Sequence, residues 1–304
     1  MTARSNHLVT EASKDTTMRI AHPTPATLEC PRPLHAVNPN SDDTIPSPVT
    51  TACLRVATYN IHKGVRGIGA ARRLEIHNLV LGVEALDADL VFLQEVRLND
   101  RRYARRFNRV WLGWPDQGQA EFLAPEGYEV AYRSNAHTRF GEHGNALLSR
   151  WPLGEIRHRD VSDNRFEQRG LLYAPVWWHG VRVHAVVAHF GLIHASRLRQ
   201  VHRLADFIKN ELPAHEPVLV AGDFNDWSER LDEPMAEAGL LRALTPESLV
   251  PKRATFPSRV PVFALDRIYM RGFRCQGTMV PYGSAWARMS DHLPYLAELE
   301  LIPG

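Results

Sequence analysis

Val-Leu-Val-Ala-Gly-Asp-Phe-Asn-Asp, residues 218–226, is an apolar run that ends abruptly on a carboxylate and an amide. Side chains two apart on an extended chain point the same way, so Asp223 and Asn225 are expected to face one cleft. A carboxylate to take a proton and an amide to hold an oxyanion suit a hydrolase that activates water. Taken alone, the same residues read equally as an ordinary strand-to-turn junction, because Gly, Asp and Asn all suit turns. The rest of the chain decides between the two readings.

Working outward, five more apolar runs finish on, or lead directly into or out of, a group that can bind metal or move protons. Residues 54–60 alternate, with Leu54, Val56 and Thr58 on one face, and end in the amide of Asn60. Residues 90–93 deliver Gln94 and then Glu95, a carboxylate that is costly to bury unless it meets a cation. Residues 183–188 lead to His189 and residues 262–265 to Asp266, while Ser290-Asp291-His292 stands directly before the final apolar run 295–301. Each of these reads alone as a polar turn, and six together point to one shared site.

The pieces Ala57-Thr58-Tyr59-Asn60, Leu93-Gln94-Glu95-Val96, Gly144-Asn145-Ala146-Leu147-Leu148-Ser149-Arg150, Ala188-His189-Phe190, Gly222-Asp223-Phe224-Asn225, Leu265-Asp266-Arg267-Ile268 and Ser290-Asp291-His292-Leu293-Pro294 occur in that order. In this the chain resembles the endonuclease/exonuclease/phosphatase superfamily, in particular its small stand-alone bacterial members, whose relatives cleave phosphate esters with a divalent metal. The likeness runs from about residue 54 to residue 301. It implies an α/β fold, a four-layer α/β/β/α sandwich of two mixed sheets flanked by helices, with the site where strand ends of both sheets converge. Many of the runs are apolar on both faces, which agrees with sheets covered on each side.

A phosphodiester resists hydrolysis because its anionic oxygens repel a nucleophile, so such a site must supply positive charge and a deprotonated water. Glu95 is the expected metal ligand, since a hard carboxylate suits Mg²⁺ or Mn²⁺, with Asn60 and Asp291 completing that shell directly or through water. Asp223 is expected to deprotonate the water, Asn225 to donate to a phosphoryl oxygen, and His292, oriented by Asp266, to stabilise the pentacovalent state or share in proton transfer. The resemblance makes His189 a catalytic residue and a pointer away from abasic-site repair enzymes toward DNase-like and sphingomyelinase-like branches. It makes Asn145 a contact of the substrate phosphate. His143 and Trp227 are further candidate substrate contacts beside the cleft.

With 304 residues, 44% of them hydrophobic, the chain can bury a large core. Its net charge of +2 gives no overall field for nucleic acid, but Arg97, Arg101, Arg102, Arg105, Arg106 and Arg109 crowd the stretch after Glu95, as a solvated helix face or as an attractor of phosphorylated or anionic-lipid substrates. Three widely spaced cysteines, Cys30, Cys53 and Cys275, suggest neither a disulfide framework nor a zinc site. Residues 1–50, rich in Ser, Thr, Pro, Asn and His without apolar period, read as a disordered tail before a single enzymatic domain of residues 51–304. No run approaches the roughly 18 to 20 apolar residues that span a bilayer, and no secretory signal opens the chain, so a cytoplasmic monomer is expected, with contact at a membrane surface left open.

Three helices are expected: residues 72–87, residues 196–212 with Ser196 as cap, and residues 234–238 stopped by Gly239. Residues 146–149, 171–178 and 181–188 read as strands, the last two joined by a tight His179-Gly180 hairpin. Trp111, Trp114, Phe122 and Tyr128 form an aromatic stretch that could lie over the cleft or be tacked down by its own side chains. The substrate expected is a phosphodiester, either nucleic acid, as for a nuclease, or a phospholipid or phosphoinositide head group. A catalytically inactive phosphate-binding scaffold is the contrasting reading.

Overall fold

A computed structural model describes residues 52–67, 69–108, 112–164, 167–245 and 253–302. The expected tail, Arg109 and Trp111 lie outside them. In chain order the elements are β1 (Cys53–Asn60), β2 (Val65–Arg66), β3 (Arg73–Leu74), α1 (Ile76–Leu86), β4 (Leu90–Asp100), α2 (Arg101–Phe107), α3 (Gln119–Leu123), β5 (Glu129–Thr138), β6 (Gly141–Ser149), β7 (Arg157–Asp160), β8 (Gly170–Trp178), β9 (Val181–His189), α4 (His194–Glu211), β10 (Val218–Asp223), α5 (Asp232–Glu237), β11 (Leu241–Arg242), β12 (Asp266–Arg271), β13 (Phe273–Met279), α6 (Trp286–Met289) and β14 (Tyr295–Leu301).

Two mixed sheets carry the molecule, in strand order β13-β14-β1-β4-β6-β5 and β11-β12-β10-β9-β8-β7. Each holds a parallel pair at its centre, β1 with β4 and β9 with β10, and antiparallel strands on either side. The two parallel crossovers run through α1 and α4, the helices that a βαβ connection needs. Because both strands of each central pair run the same way, their carboxyl ends finish side by side.

The period-two alternation of the sequence sorts into three cores. Leu54, Val56, Leu90 and Phe92 of the first sheet pack against Ala185, Val187, Leu219 and Ala221 of the second. The alternate residues Ala57, Tyr59, Val91 and Leu93 meet Ile76, Leu79, Val83 and Leu86 of α1. Val186, Ala188, Val218 and Val220 meet Val201, Leu204, Phe207 and Ile208 of α4. This is the four-layer α/β/β/α sandwich. Each such aliphatic side chain contributes about 1.5–3 kcal/mol by leaving water. With apolar residues on both faces, hydrophobicity alone penalises a one-residue slip weakly. The polar ends help to fix the register: buried Gln94 donates to Thr58 Oγ1 at 3.1 Å across β1 and β4.

Several local expectations are corrected. The first helix begins at Ile76 rather than at residue 72, because Arg73 and Leu74 pair with Arg66 and Val65. Ser196 does not cap α4, which starts at His194; its hydroxyl instead donates to Asp163 at 2.6 Å. Residues 262–265 are not a strand and Val262 is exposed. The strand follows Asp266, because β12 is antiparallel to β10 and the ladder opens where β10 stops, Asp266 opposite Asp223. The third helix sits two residues earlier, over Asp232–Glu237. The His179-Gly180 hairpin is present, with φ of 48° and 81°, the left-handed pair that matches strand twist. The described members of the aromatic stretch are tacked down by their own contacts: Trp114 stacks on Tyr103, Phe122 meets the His77 ring edge-on, and the Tyr128 hydroxyl donates to Ala88 O.

Candidate active site

The two central pairs present their ends to one another. On the first sheet, Asn60 ends β1 opposite Gln94, and Ser290, Asp291 and His292 precede β14, which returns alongside β1 with Tyr295 opposite Thr58. On the second, Asp223 stands in register with His189 on one side and Asp266 on the other. The sheets are joined here by the Asn60 amide, which donates to Asp223 Oδ2 at 3.0 Å, while the Ser290 hydroxyl donates to Asn60 O at 2.7 Å. Residues far apart in sequence thus share one cleft because strand ends of both sheets converge there.

Glu95 reaches the cleft by a device that alternation would not give. Leu93 faces α1, Gln94 faces the other sheet, and a bulge between Leu93 and Val96 of β4 lets the chain turn with Glu95 at φ 59°. Bulges re-aim a side chain, and a left-handed non-glycine is strained, so both persist where the surroundings enforce them. The Glu95 carboxylate, 17% exposed, lies 2.9 Å from Lys63 Nζ. Burial alone would raise its pKa, yet Lys63, His189 and His62 together hold it well below the usual carboxylate range. Asp291 Oδ2 lies 3.0 Å from His62 Nδ1; burial raises its pKa, but that contact and His292 bring it below its usual value.

His62 and Lys63 were not singled out from the sequence, although the signal was there: His-Lys-Gly directly follows Asn60. Both sit at positive φ, 45° and 62°. The turn is braced where Gln119 donates to Lys63 O at 2.9 Å and Asn60 Oδ1 accepts from the His62 N–H at 3.0 Å.

Asp223 and Asn225 do face one place, through a turn rather than through alternation. The strand ends at Asp223; its Oδ1 accepts the Asn225 N–H at 2.9 Å, and Asn225 sits at φ 48°. The Asn225 amide also donates to Phe190 O at 2.9 Å, tying this turn to the end of β9. Beneath it lies Arg267, whose role sequence reading missed. Its guanidinium is fully buried and donates to Asp226 Oδ2 at 3.0 Å, Asp226 O at 2.9 Å and Ala264 O at 2.9 Å. A buried charge is tolerated only when paired and saturated in this way.

Two imidazoles flank the same oxygen. His189 Nε2 and His292 Nε2 each lie 3.7 Å from Asp223 Oδ2. Their environments push them apart. Burial, helped by the Arg169 charge, keeps His189 well below the ordinary imidazole value, hence neutral. Burial acts on His292 too, but Asp266, 2.8 Å from Nδ1, and Asp223 outweigh it and hold it above that value, hence protonated. Asp266 is itself fixed by the Thr255 hydroxyl at 2.6 Å. Asp223 is held above the usual carboxylate range, by burial first and by Asp266, against the opposing pull of His292.

Two oxygen-bearing sets could receive a hard cation. Asp223, Asp266 and His292 lie close enough together to hold one; several of their atoms are engaged with each other and with Asn60, Asn225 and Thr255, while the buried Asp266 Oδ1 has no hydrogen-bond partner. The set Glu95, Asp291 and Asn60 offers two carboxylates kept ionised, and a buried Glu95 Oε2 with no hydrogen-bond donor beyond the Lys63 ion contact.

Asn145 is one of the expected substrate contacts. It is fully buried and its amide nitrogen donates to Gly170 O at 2.9 Å and Val187 O at 3.3 Å, strapping the first sheet to the second beneath the cleft. His143 is half-buried in the wall of a cavity of about 1170 Å³ that also includes Arg169 and Leu192. Burial, aided by Lys63, lowers its pKa to about 4. Trp227, 41% exposed, meets Phe256 and Phe263 edge-on, and Phe256 in turn lies 4.8 Å from the His292 ring, so an aromatic rim borders the site.

Residues 57–292 match the Endonuclease/Exonuclease/phosphatase family. The chain is 39% identical over 251 residues to the uncharacterized protein YbhP of Escherichia coli (strain K12), spanning 81% of this chain and 96% of that one. Its fold is similar to the mannosyl-6-phosphatase of Bacteroides thetaiotaomicron VPI-5482, with a TM-score of 0.59 at 17% identity, covering 81% of this chain and 99% of the other. It is also similar to D. rerio TDP2 in complex with a single-strand DNA product, with a TM-score of 0.55 at 17% identity, covering 82% and 99%. At such identities the two solved structures speak for the fold alone.

Proposed function

The chain belongs to the endonuclease/exonuclease/phosphatase family, and on that premise we propose that it is a divalent-metal-dependent phosphodiesterase, nuclease-like, that attacks the ester with an activated water. The observation that carries this reading is the pair of imidazoles that flank one oxygen of Asp223 at 3.7 Å each, that oxygen being linked across the sheets to Asn60. Two titratable groups pushed apart by their surroundings divide acid from base.

In this reading Glu95, with Asn60 and Asp291, holds Mg²⁺ or Mn²⁺, which supplies the positive charge that an anionic ester needs. Asp223 accepts the proton of the attacking water; a carboxylate whose pKa lies above the usual range is a stronger base for that task. His292, kept cationic by Asp266, stabilises the charge that builds on the phosphoryl oxygens or the leaving group. His189, neutral and at the same distance from Asp223, is free to accept or donate a hydrogen bond to substrate. The second N–H of the Asn225 amide, whose first goes to Phe190 O, donates to a phosphoryl oxygen. His143 and Trp227 line the approach.

The test is turnover of plasmid DNA, single-stranded RNA, phospholipids and inositol phosphates with Mg²⁺ or Mn²⁺, with Asp223→Asn as the blank. Hydrolysis of a diester by the natural protein and none by the variant is the expected result. Phospholipid or phosphoinositide turnover alone would move the reading to head-group hydrolysis. No turnover of any phosphoester would favour a phosphate-binding scaffold.

A further inference from the structure

Several arginines of this molecule, exposed or half-buried, have an acid partner: Arg150 meets Asp87 and Asp89, Arg157 and Arg159 meet Glu211, Arg182 meets Glu216, and Arg199 meets Asp163. One group without such partners is gathered around a single cavity. Arg101, Arg102 and Arg105 of α2 and Arg139 at the β5–β6 turn are all exposed, and none forms an ion pair among the described residues. The one carboxylate beside them in sequence, Asp100, is taken by Arg97, and Glu142 is taken by His137. Like charges gathered without counter-ions repel, so the arrangement costs stability unless something anionic arrives.

These guanidiniums line a groove rather than a bulge. Arg101, Arg105 and Arg139 with Phe140 enclose a cavity of about 500 Å³. Arg101, Arg139 and Phe140 are shared with a second cavity of about 280 Å³, whose walls also include His137 and Thr138. Those two residues in turn border the cavity of about 1170 Å³ that ends at His143 and Arg169. His143 and Arg169 are the groups whose neighbourhoods already include Glu95 and His189. The three cavities therefore form one track from the arginines to the reacting centre. Arg101 and Arg105 stand one helical turn apart on one wall, and the β5–β6 turn supplies the other.

We propose that this track binds the backbone of a nucleic-acid strand whose scissile phosphate lies at Asp223 and His292. The inference rests on the phosphodiesterase reading above and deepens it to a polymeric substrate. A lone head group would occupy the cleft and leave the arginines idle, whereas a polyanion places successive phosphates along them. An anionic membrane meets no apolar wedge at the arginine end of the track, where Phe140 is covered by Arg139 at 4.5 Å and Arg102 at 5.7 Å; the exposed Leu192 and Ile193 lie in the wall of the large cavity instead.

The experiment is fluorescence anisotropy of a labelled single-stranded oligonucleotide in EDTA, which separates binding from turnover, across a salt titration. The natural protein is compared with the triple variant Arg101→Gln, Arg105→Gln, Arg139→Gln and with the triple Arg→Lys variant. Expected for the Gln variant is affinity at least about tenfold weaker and a log–log salt slope shallower by about 2, at about 0.7 per lost phosphate contact; Lys should restore most of both. Unchanged affinity and slope in a Gln variant with native circular dichroism overturns the proposal. So does loss of binding to phosphatidylserine vesicles with oligonucleotide affinity intact, which would assign the groove to a membrane. Turnover of bis(p-nitrophenyl) phosphate by the natural protein is scored separately: its absence sinks the phosphodiesterase reading, while the oligonucleotide result still judges the groove.

Discussion

The two halves of the cleft are built on different principles. The half from the first sheet, Glu95, Asp291 and Asn60, keeps its carboxylates ionised with the help of two basic side chains, Lys63 and His62, that are about a third exposed and sit on a strained turn. The half from the second sheet, His189, Asp223 and Asp266, with His292 leaning on it, is almost dry and makes most of its polar contacts internally, Asp266 Oδ1 excepted. A partly wet set with basic partners can exchange those partners for an ion. A dry set with fixed protons can move one without reorganising. On the proposed function, burial divides the labour between ion and proton.

Each half can be broken separately. The largest effect is expected in the dry half: Asp223→Asn should lower kcat by about 10²–10⁴ with little change in Mg²⁺ response, as loss of a general base does. An equal loss with a displaced metal titration would mean that Asp223 belongs to the ion site. The strut under this half comes next. Arg267→Leu leaves Asp226 buried with only the Arg197 guanidinium, at 3.8 Å, as counter-charge, and should cost about 3 kcal/mol, read as a lower urea midpoint at unchanged m. In the wet half, Glu95→Gln should weaken the apparent Mg²⁺ affinity by about 10–100-fold or more, the range seen when even an outer partner of a metal ligand is lost. Full turnover at ordinary Mg²⁺ would remove Glu95 from the ion's shell.

The pH profile sharpens the contrast. With its pKa raised by burial, Asp223 must lose a proton before it can act, so kcat should climb with pH and reach half-maximum above the ordinary carboxylate range. Glu95 and Asp291, lowered by their basic neighbours, are already ionised there and should add no limb in that window. A half-point in the ordinary carboxylate range or below it would contradict the burial argument. The smallest effect belongs to the rim: Trp227→Ala should raise KM severalfold, about 1 kcal/mol for one half-exposed aromatic face, and leave kcat near its natural value.

Much of this arrangement was legible in the sequence because it follows the period of a strand. Apolar runs such as 218–223 and 54–60 announce where a ladder stops, and what stands at the stop is the site. What was not legible depends on departures from that period. Alternation would send Glu95 toward α1 like Leu93; only the bulge returns it to the cleft, and nothing in Gln94-Glu95-Val96 marks a bulge. Asp266 was expected to close a strand and instead opens one, because an antiparallel partner reverses which end of the run faces the site. The Asn145 amide donates to carbonyls of the other sheet, a tie that no local motif announces. Arg139 joins α2 across a tertiary contact, so no local window could link it to Arg101.

No covalent bond among the described residues ties one sheet to the other at the cleft; they meet through apolar packing and a few polar straps such as Asn60 to Asp223. A molecule lodged between them would act as a rivet, resisting any shear of one layer over its neighbour. Saturating ion plus a non-hydrolysable ester should therefore lift the melting temperature by more than the sum of their separate effects.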